Sequence, residues 1–253
     1  MPGMIRVGCA GWSLRKEHFA LFPAAGSHLE RYAASFDCVE INSSFYRSHR
    51  VATYQRWAEA TPRDFRFAVK VPKQITHIYR LSGTDDAVAQ FAAEVGGLGA
   101  KLGAVLVQLP PSLAFEGDFV SRFFKQLTDA ILCPVVVEPR HVSWFDDEVT
   151  SFLLARSIAR VVADPAVTPA AAEPIAANGF TYYRWHGSPR VYYSSYDQST
   201  LINLSQSLVT AATSHEAWCI FDNTAAGAAT TNALSLRDYV TEAVAREGSL
   251  ATH

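Results

Sequence analysis

Short apolar runs recur along the chain, and each ends in a charged or amide side chain. The clearest is Val135-Val136-Val137, which runs straight into Glu138-Pro139-Arg140-His141. A β-branched run bounded by Pro134 and Pro139 reads as a strand covered on both faces, as in parallel sheets whose crossovers are helices. The pattern repeats at Val39-Glu40-Ile41-Asn42, Ala68-Val69-Lys70, Leu106-Val107-Gln108, Val161-Val162-Ala163-Asp164, Tyr183-Arg184-Trp185-His186 and Ile220-Phe221-Asp222-Asn223. Ile5 to Cys9 forms a first strand, left through Gly11-Trp12.

Helical spacing fills most of the intervals. Leu29, Tyr32, Ala33 and Phe36 share one face, and Tyr54, Trp57 and Ala58 another. Asp85-Asp86 open a helix at its favourable dipole end, and Gly96-Gly97 stop it. Phe119, Phe123, Phe124 and Leu127 mark a helix from Asp118. Phe145 to Ala155, Thr200 to Thr213 and Ala225 to Arg246 complete the set, while 165–179 reads as a loop with at most a short helix.

Eight strands alternating with helices over 253 residues predict an α/β fold. The expected form is one TIM-type (β/α)8 barrel over 1–246, with a flexible tail at 247–253. The strand-end residues 9, 40, 70, 108, 138, 164, 184 and 222 step by 31, 30, 38, 30, 26, 20 and 38, so the irregular joint lies between strands six and seven. An open doubly wound sheet gives similar alternation, but no GxGxxG follows strand one and there is no P-loop.

Charge and composition narrow the partners. A net charge of −2, from 22 basic and 24 acidic residues, sets up no global field for nucleic acid or an anionic membrane. No apolar stretch approaches the roughly eighteen residues of a membrane span. The N-terminal MPGMIRVGCAGW has no signal-peptide pattern, so a cytoplasmic protein is expected. Cys9, Cys38, Cys133 and Cys219 are scattered singly and read as reduced core thiols.

In a barrel the strand C-termini converge on the active site. Here they bring Glu40, Glu138, His141 and His186 as candidate acid/base groups, with desolvation expected to raise the carboxyls. The candidate substrate contacts are Asn42, Tyr46, Lys70, His77, Gln108, Arg140, Trp144, Asp164, Arg184, Tyr196, Asp222 and Asn223. Period-two alternation puts Glu40 with Asn42, Ala68 with Lys70, and Tyr182 with Arg184 and His186 on common faces. The competing reading is a salt-bridged plug at the barrel mouth.

Individual roles also carry alternatives. Glu40 and Glu138 lie three strand positions apart, a poor fit to a glycosidase pair. Lys70 suits an anion, or a Schiff base if burial removes its proton. Arg184, His186, Gly187, Ser188 and Asn223 follow strands seven and eight, the usual phosphate region of a barrel, although Arg184 also has Asp164 and Asp222 as neighbours to pair with. The His and carboxylate residues offer metal donors, but no HxxxH or HExxH spacing supports them, so no metal ligand is assigned and the cofactor is left open. Trp12, Phe45, Tyr46, Trp144, Tyr192, Tyr193 and Tyr196 are expected on loops above the same face, to stack on a sugar or base or to pack the loops. Pro139 interrupts the alternation and places Arg140 and His141 on the loop above the ring.

The combination Gly8-Cys9-Ala10-Gly11-Trp12, Val39 to Arg47, Phe65 to Lys70, Thr76-His77, Lys101-Leu102-Gly103, Gln108 to Pro111, Glu138 to His141 with Ser143-Trp144-Phe145, Arg184 to Gly187 and Asn232-Ala233 resembles the YecE-like family, bacterial and archaeal proteins of unknown function. The resemblance covers nearly the whole chain and implies a TIM-type barrel, but no reaction. Ala10 stands where a hydroxyl residue is common in the family, and Asp222 where Asn is common, which implies different hydrogen bonding at strands one and eight.

The leading functional expectation is an enzyme, hydrolase or isomerase, acting on a small phosphorylated or carboxylated sugar- or nucleotide-like molecule. Two alternatives stay open: a metal-dependent phosphoesterase on nucleic acid, disfavoured by the near-neutral charge, and a non-catalytic barrel that binds a metabolite or a protein. No membrane partner is expected, and no protein partner is indicated.

Overall fold

The computed structural model describes residues 3–250. Nine strands form: β1 Ile5–Cys9, β2 Cys38–Ile41, β3 Arg66–Lys70, β4 Leu102–Gln108, β5 Val135–Glu138, β6 Ile158–Arg160, β7 Val162–Asp164, β8 Phe180–Trp185 and β9 Glu216–Phe221. The α-helices are α1 His28–Ala33, α2 Ser43–Tyr46, α3 Val51–Glu59, α4 Asp85–Val95, α5 Gly117–Ala130, α6 Asp147–Leu154, α7 Gln198–Ala212 and α8 Ala228–Leu250. The tail expected from 247 is therefore helical as far as Leu250, and 251–253 lie outside the described residues. Among the described residues no helix is long and apolar enough to cross a membrane.

The fold is mixed α/β with two parallel sheets, ordered β1-β9-β8-β7 and β2-β3-β4-β5-β6. The expected strand 158–164 is divided at Val161. β6 pairs with β5 and β7 with β8, so this stretch passes from one sheet to the other within a few residues. The cause is local. Arg160 N–H bonds to Ile175 O in the following loop, whereas Val161 N–H still reaches Val137 O. At the other junction Ala10 bridges Glu40 in parallel, and Gly11 N–H donates to Glu40 O at 2.8 Å.

Alternation along the strands separates two apolar clusters. Val39, Phe67, Val69, Val105, Val107 and Val137 belong to the larger one, with Phe91, Phe123, Phe124, Leu127, Leu208 and Leu236 from the helices. Burying each such side chain contributes about 1.5–3 kcal/mol, so this interface supplies most of the driving force. The opposite faces carry the smaller cluster of Cys38, Ala68, Ala104, Leu106, Val136, Val161, Tyr182, Trp218 and Ile220. Space there is tight: a Cβ on Gly103 would lie 2.7 Å from the Trp218 ring. Below it, at the strand N-termini, Arg6 Nε bonds to Glu216 Oε1 at 2.9 Å and Trp218 Nε1 to the same oxygen at 2.9 Å.

All four cysteines are free thiols, three buried and Cys133 half-buried.

Candidate active site

Above the small cluster, the next residues on the same strand faces are polar, because the period of two that brings Cys38, Ala68, Val136, Tyr182 and Ile220 together also brings Glu40, Lys70, Glu138, Arg184 and Asp222. At the centre is Arg184, fully buried. Its Nε donates to Glu40 Oε2 at 3.0 Å and its Nη2 to Glu40 Oε1 at 2.7 Å, a bidentate pair. Nη1 donates to Glu138 Oε2, and Nη2 also to Asp222 Oδ2 at 3.0 Å. Tyr182 adds its hydroxyl to Glu40 Oε2 at 2.9 Å.

His186 joins the second pair of carboxylates. Nε2 lies 2.8 Å from Glu138 Oε1 and Nδ1 3.1 Å from Asp222 Oδ2. With an acceptor facing each ring nitrogen, the doubly protonated imidazolium satisfies both contacts. Burial disfavours that charge, but Glu138 and Asp222 outweigh it and raise the His186 pKa. Arg140 lies over the pair, its Nη2 ion-paired with Glu138 Oε1 and 3.0 Å from His186 Nε2.

Glu138 shifts opposite to the sequence expectation. Burial alone would raise Glu138, yet Arg184, His186 and Arg140 together hold it well below the usual carboxylate range. Asp222 is likewise held low by Arg184, His186 and Lys70 against its burial. Desolvation was expected to dominate; neighbouring cations do. Three carboxylates face four cationic side chains once His186 is protonated, which leaves one surplus positive charge.

Lys70 differs from the other cations. It is only 8% exposed, and among the described residues its ammonium has no hydrogen bond and no ion pair. Its Nζ instead sits 4.3 Å from the centre of the Phe45 ring. Burial, reinforced by Arg184, lowers its pKa despite the three carboxylates. Two further polar atoms nearby are buried without partners, Asn42 Oδ1 and Arg140 Nε. Asn42 Nδ2 donates to Asp222 Oδ1 at 3.3 Å, on the half-buried edge of the cluster.

A profile described as "Protein of unknown function DUF72" matches residues 6–252. The chain belongs to the DUF72 family. The UPF0759 protein YecE of Escherichia coli K12 is 36% identical over 107 residues, which is 42% of this chain and 38% of the relative. YunF of Bacillus subtilis is 27% identical over 176 residues, 64% of this chain and 61% of the relative. The aligned stretches thus span less than two thirds of these relatives' own lengths. A DUF72 crystal structure from Enterococcus faecalis superimposes with a TM-score of 0.79 at 21% identity, over 94% of this chain and 96% of that one. One from Thermotoga maritima gives 0.77 at 25%, over 94% and 99%.

In this DUF72 chain Glu40, Glu138, Arg184, His186, Asp222, Arg140, Asn42 and Lys70 converge, and the other sequence candidates fall at varied distances from them. His77 is in a π-helical turn, Gln74–Ile78, with its ring edge-on to Phe45 at 5.0 Å. Burial, Lys70 and Lys73 lower its pKa. Gln108 is half-buried beside Glu138 in register. Tyr46 is 79% exposed. Tyr196 acts behind the site: its hydroxyl donates to Asp164 Oδ1 at 2.6 Å and accepts from Gly187 N–H at 2.8 Å, fixing the loop after His186. Asn223 Nδ2 bonds to Ser194 O and Asn232 Oδ1, each at 2.9 Å. Trp144 is not on the rim; it is fully buried against Phe115 and Phe124, with Nε1 on Leu113 O, because Val142–Trp144 forms a 3-10 turn that points the indole inward. His141 turns away too, its Nδ1 accepting from Ser143 N–H.

Tyr182 is not among the sequence candidates, and Tyr192 is there only as one of the loop aromatics. Tyr182 shares a period-two face with Arg184, so the signal was present. Tyr192 stands edge-on to His186 at 5.9 Å through a loop with no sequence signature for that contact. Among the described residues no group of three or more His, Cys, Asp or Glu is arranged to hold a metal ion.

Proposed function

We propose that this chain is an enzyme acting on a small anionic substrate, with the polar cluster at the strand C-termini as its active site. The observation that carries the reading is Lys70. An ammonium held in a largely buried position with an aromatic ring as its partner is unfavourable unless a ligand completes it. The positive charge in surplus once His186 is protonated and the unpartnered, buried Arg140 Nε favour an anion at the same place. Phosphorylated and carboxylated sugar- or nucleotide-like molecules satisfy this chemistry.

In this mechanism Lys70 and Arg140 hold the anionic group, and Asn42 orients a neighbouring hydroxyl or amide. Asp222 is the carboxylate that reaches the accessible edge, its side chain 12% exposed against 0% for Glu40 and 1% for Glu138. The Asp222–His186 pair takes up and releases one proton at that edge, titrating as a unit. Arg184 organises the site. Its donors are directed at three carboxylates, so it positions them and leaves substrate contact to Lys70 and Arg140.

The proposal includes closure of the two sheets into a (β/α)8 barrel. The Ala10–Glu40 bridge, the transfer of strand 158–164 between sheets at Val161, and the smaller apolar cluster on the opposite strand faces support it. In a barrel the polar cluster lies at the catalytic end.

A thermal-shift screen with inorganic phosphate, sugar phosphates, nucleotides and carboxylates tests the reading. A ligand at a hundred times its Kd adds about 2.7 kcal/mol, which moves Tm by several degrees. Compounds that stabilise the protein are then assayed for turnover, which His186→Gln abolishes while binding survives. Stabilisation unchanged by Lys70→Met overturns the anion site. Binding without turnover leaves a binding protein instead of an enzyme.

A further inference from the structure

The unmet polar atoms of the cluster ask for more than an anion. Asn42 Oδ1 is buried with no hydrogen-bond partner among the described residues. It is an acceptor, so an ionised carboxylate or phosphate has nothing to give it.

Asp222 fixes which way the amide faces. Its Oδ2 accepts from Arg184 Nη2 at 3.0 Å and faces His186 Nδ1 at 3.1 Å, as a carboxylate with acceptors only. Asn42 therefore turns Nδ2 towards Asp222 Oδ1, at 3.3 Å, and Oδ1 points the other way. The opposite orientation would set two acceptors against each other.

Asn42 also stands beside Lys70. In the parallel pairing of β2 with β3, Glu40 lies opposite Ala68 and Ile41 opposite Val69, and Asn42 and Lys70 are the residues that follow. Ser44 Oγ, 2.9 Å from Ile41 O and 2.7 Å from Lys70 O, ties the two strand ends together. Adjacent strands lie about 4.8 Å apart, so one small ligand spans both side chains. The donor that completes Asn42 is neutral, because a ligand ammonium would enter beside Lys70 and Arg184 and be repelled. A hydroxyl is the smallest group that meets this requirement.

We propose that the substrate is a hydroxylated anion, whose carboxylate or phosphate ester meets Lys70 while a nearby hydroxyl donates to Asn42 Oδ1, and that Asn42 sets this specificity. The inference rests on the anion site at Lys70. A deoxy analogue leaves Oδ1 buried and unpaired, and an oxo analogue brings a second acceptor against it, so both are rejected.

Calorimetric titration of two sets of compounds tests it: lactate against propionate and pyruvate, and glycerol 3-phosphate against propyl phosphate. In one set the parent chain is expected to bind the hydroxylated member at least tenfold more tightly than the others, and the set that does so tells carboxylate from phosphate. Asn42→Leu is expected to abolish that preference by weakening the hydroxylated compound alone, whereas Lys70→Met weakens every member and keeps the ratio. Melting temperature without ligand checks that Asn42→Leu has folded, and Asn42→Ala carries the same comparison if it has not. Equal affinities within each set, the result if water serves Asn42 Oδ1, overturn the inference and leave the anion site standing. A preference that survives in Asn42→Leu overturns the role of Asn42. Affinities untouched by Lys70→Met overturn the anion reading alone, and no binding of any of the five compounds to the parent chain overturns both.

Discussion

Arg184 and Glu40 meet through two parallel hydrogen bonds, Nε to Oε2 at 3.0 Å and Nη2 to Oε1 at 2.7 Å, with neither side chain accessible to water. A pair this deeply buried stabilises only while it is intact, because removing one partner leaves the other charge desolvated. Arg184 serves two more carboxylates besides, so the whole site depends on it.

Replacing Arg184 with Met leaves Glu40, Glu138 and Asp222 without their shared cation. The expected loss is about 3–5 kcal/mol. For a chain of this size that is a fall in Tm on the order of 10 °C. Arg184→Lys keeps the charge but not the fork, and falls between the two. Urea unfolding measures both, and a loss below about 1 kcal/mol for Arg184→Met would refute the assigned pairing.

The pKa shifts give stability two pH limits. Glu138 and Asp222 sit below their ordinary values of 4.5 and 3.8, so their contribution is present above those values and is lost as pH falls through the lower folded ones. His186 sits above its ordinary 6.5, so its contribution is complete below 6.5 and lost as pH rises through the raised folded value. Stability measured against pH is expected to fall on both sides. His186→Gln is expected to remove the alkaline limb and to weaken the acid one without removing it, because Arg184 still holds Glu138 and Asp222 low.

Lys70 works against folding. Its lowered pKa means that the folded state disfavours the ammonium. Lys70→Met is expected to raise stability by about 0.5–2 kcal/mol, the range typical of relieving such a functional strain. A destabilised Lys70→Met would indicate an ion pair that the geometry does not contain.

Gly103→Ala tests the enclosed face of the sheets. Its Cβ would press on the Trp218 ring at 2.7 Å, and overpacking of this kind costs about 1–3 kcal/mol. A smaller ring in Trp218→Phe is expected to relieve part of that cost, read as non-additivity in a double-mutant cycle.

The strands and their polar ends were legible because each apolar run stops at the residue that leaves the core. Alternation then set Glu40, Lys70, Arg184 and His186 on common faces. What alternation does not encode is which charge meets which across the sheets: Arg184 and Glu40 are 144 positions apart. The direction of the Glu138 shift depends on those partners and runs against the sequence expectation for the same reason. The break at Val161 comes from a backbone bond to Ile175, a loop residue with no strand signal. Arg140 shows a third limit, since Pro139 marks a departure from alternation without saying where the next side chains go. One of them, Arg140, returned to Glu138, and the other, His141, capped Ser143.

The most direct test of the account is a titration of the best stabilising anion from the screen into the parent chain, Lys70→Arg and Lys70→Met, with fit of Kd for each. The account predicts that affinity falls at least tenfold in Lys70→Met and is partly retained in Lys70→Arg. Equal affinity in all three proteins would contradict it.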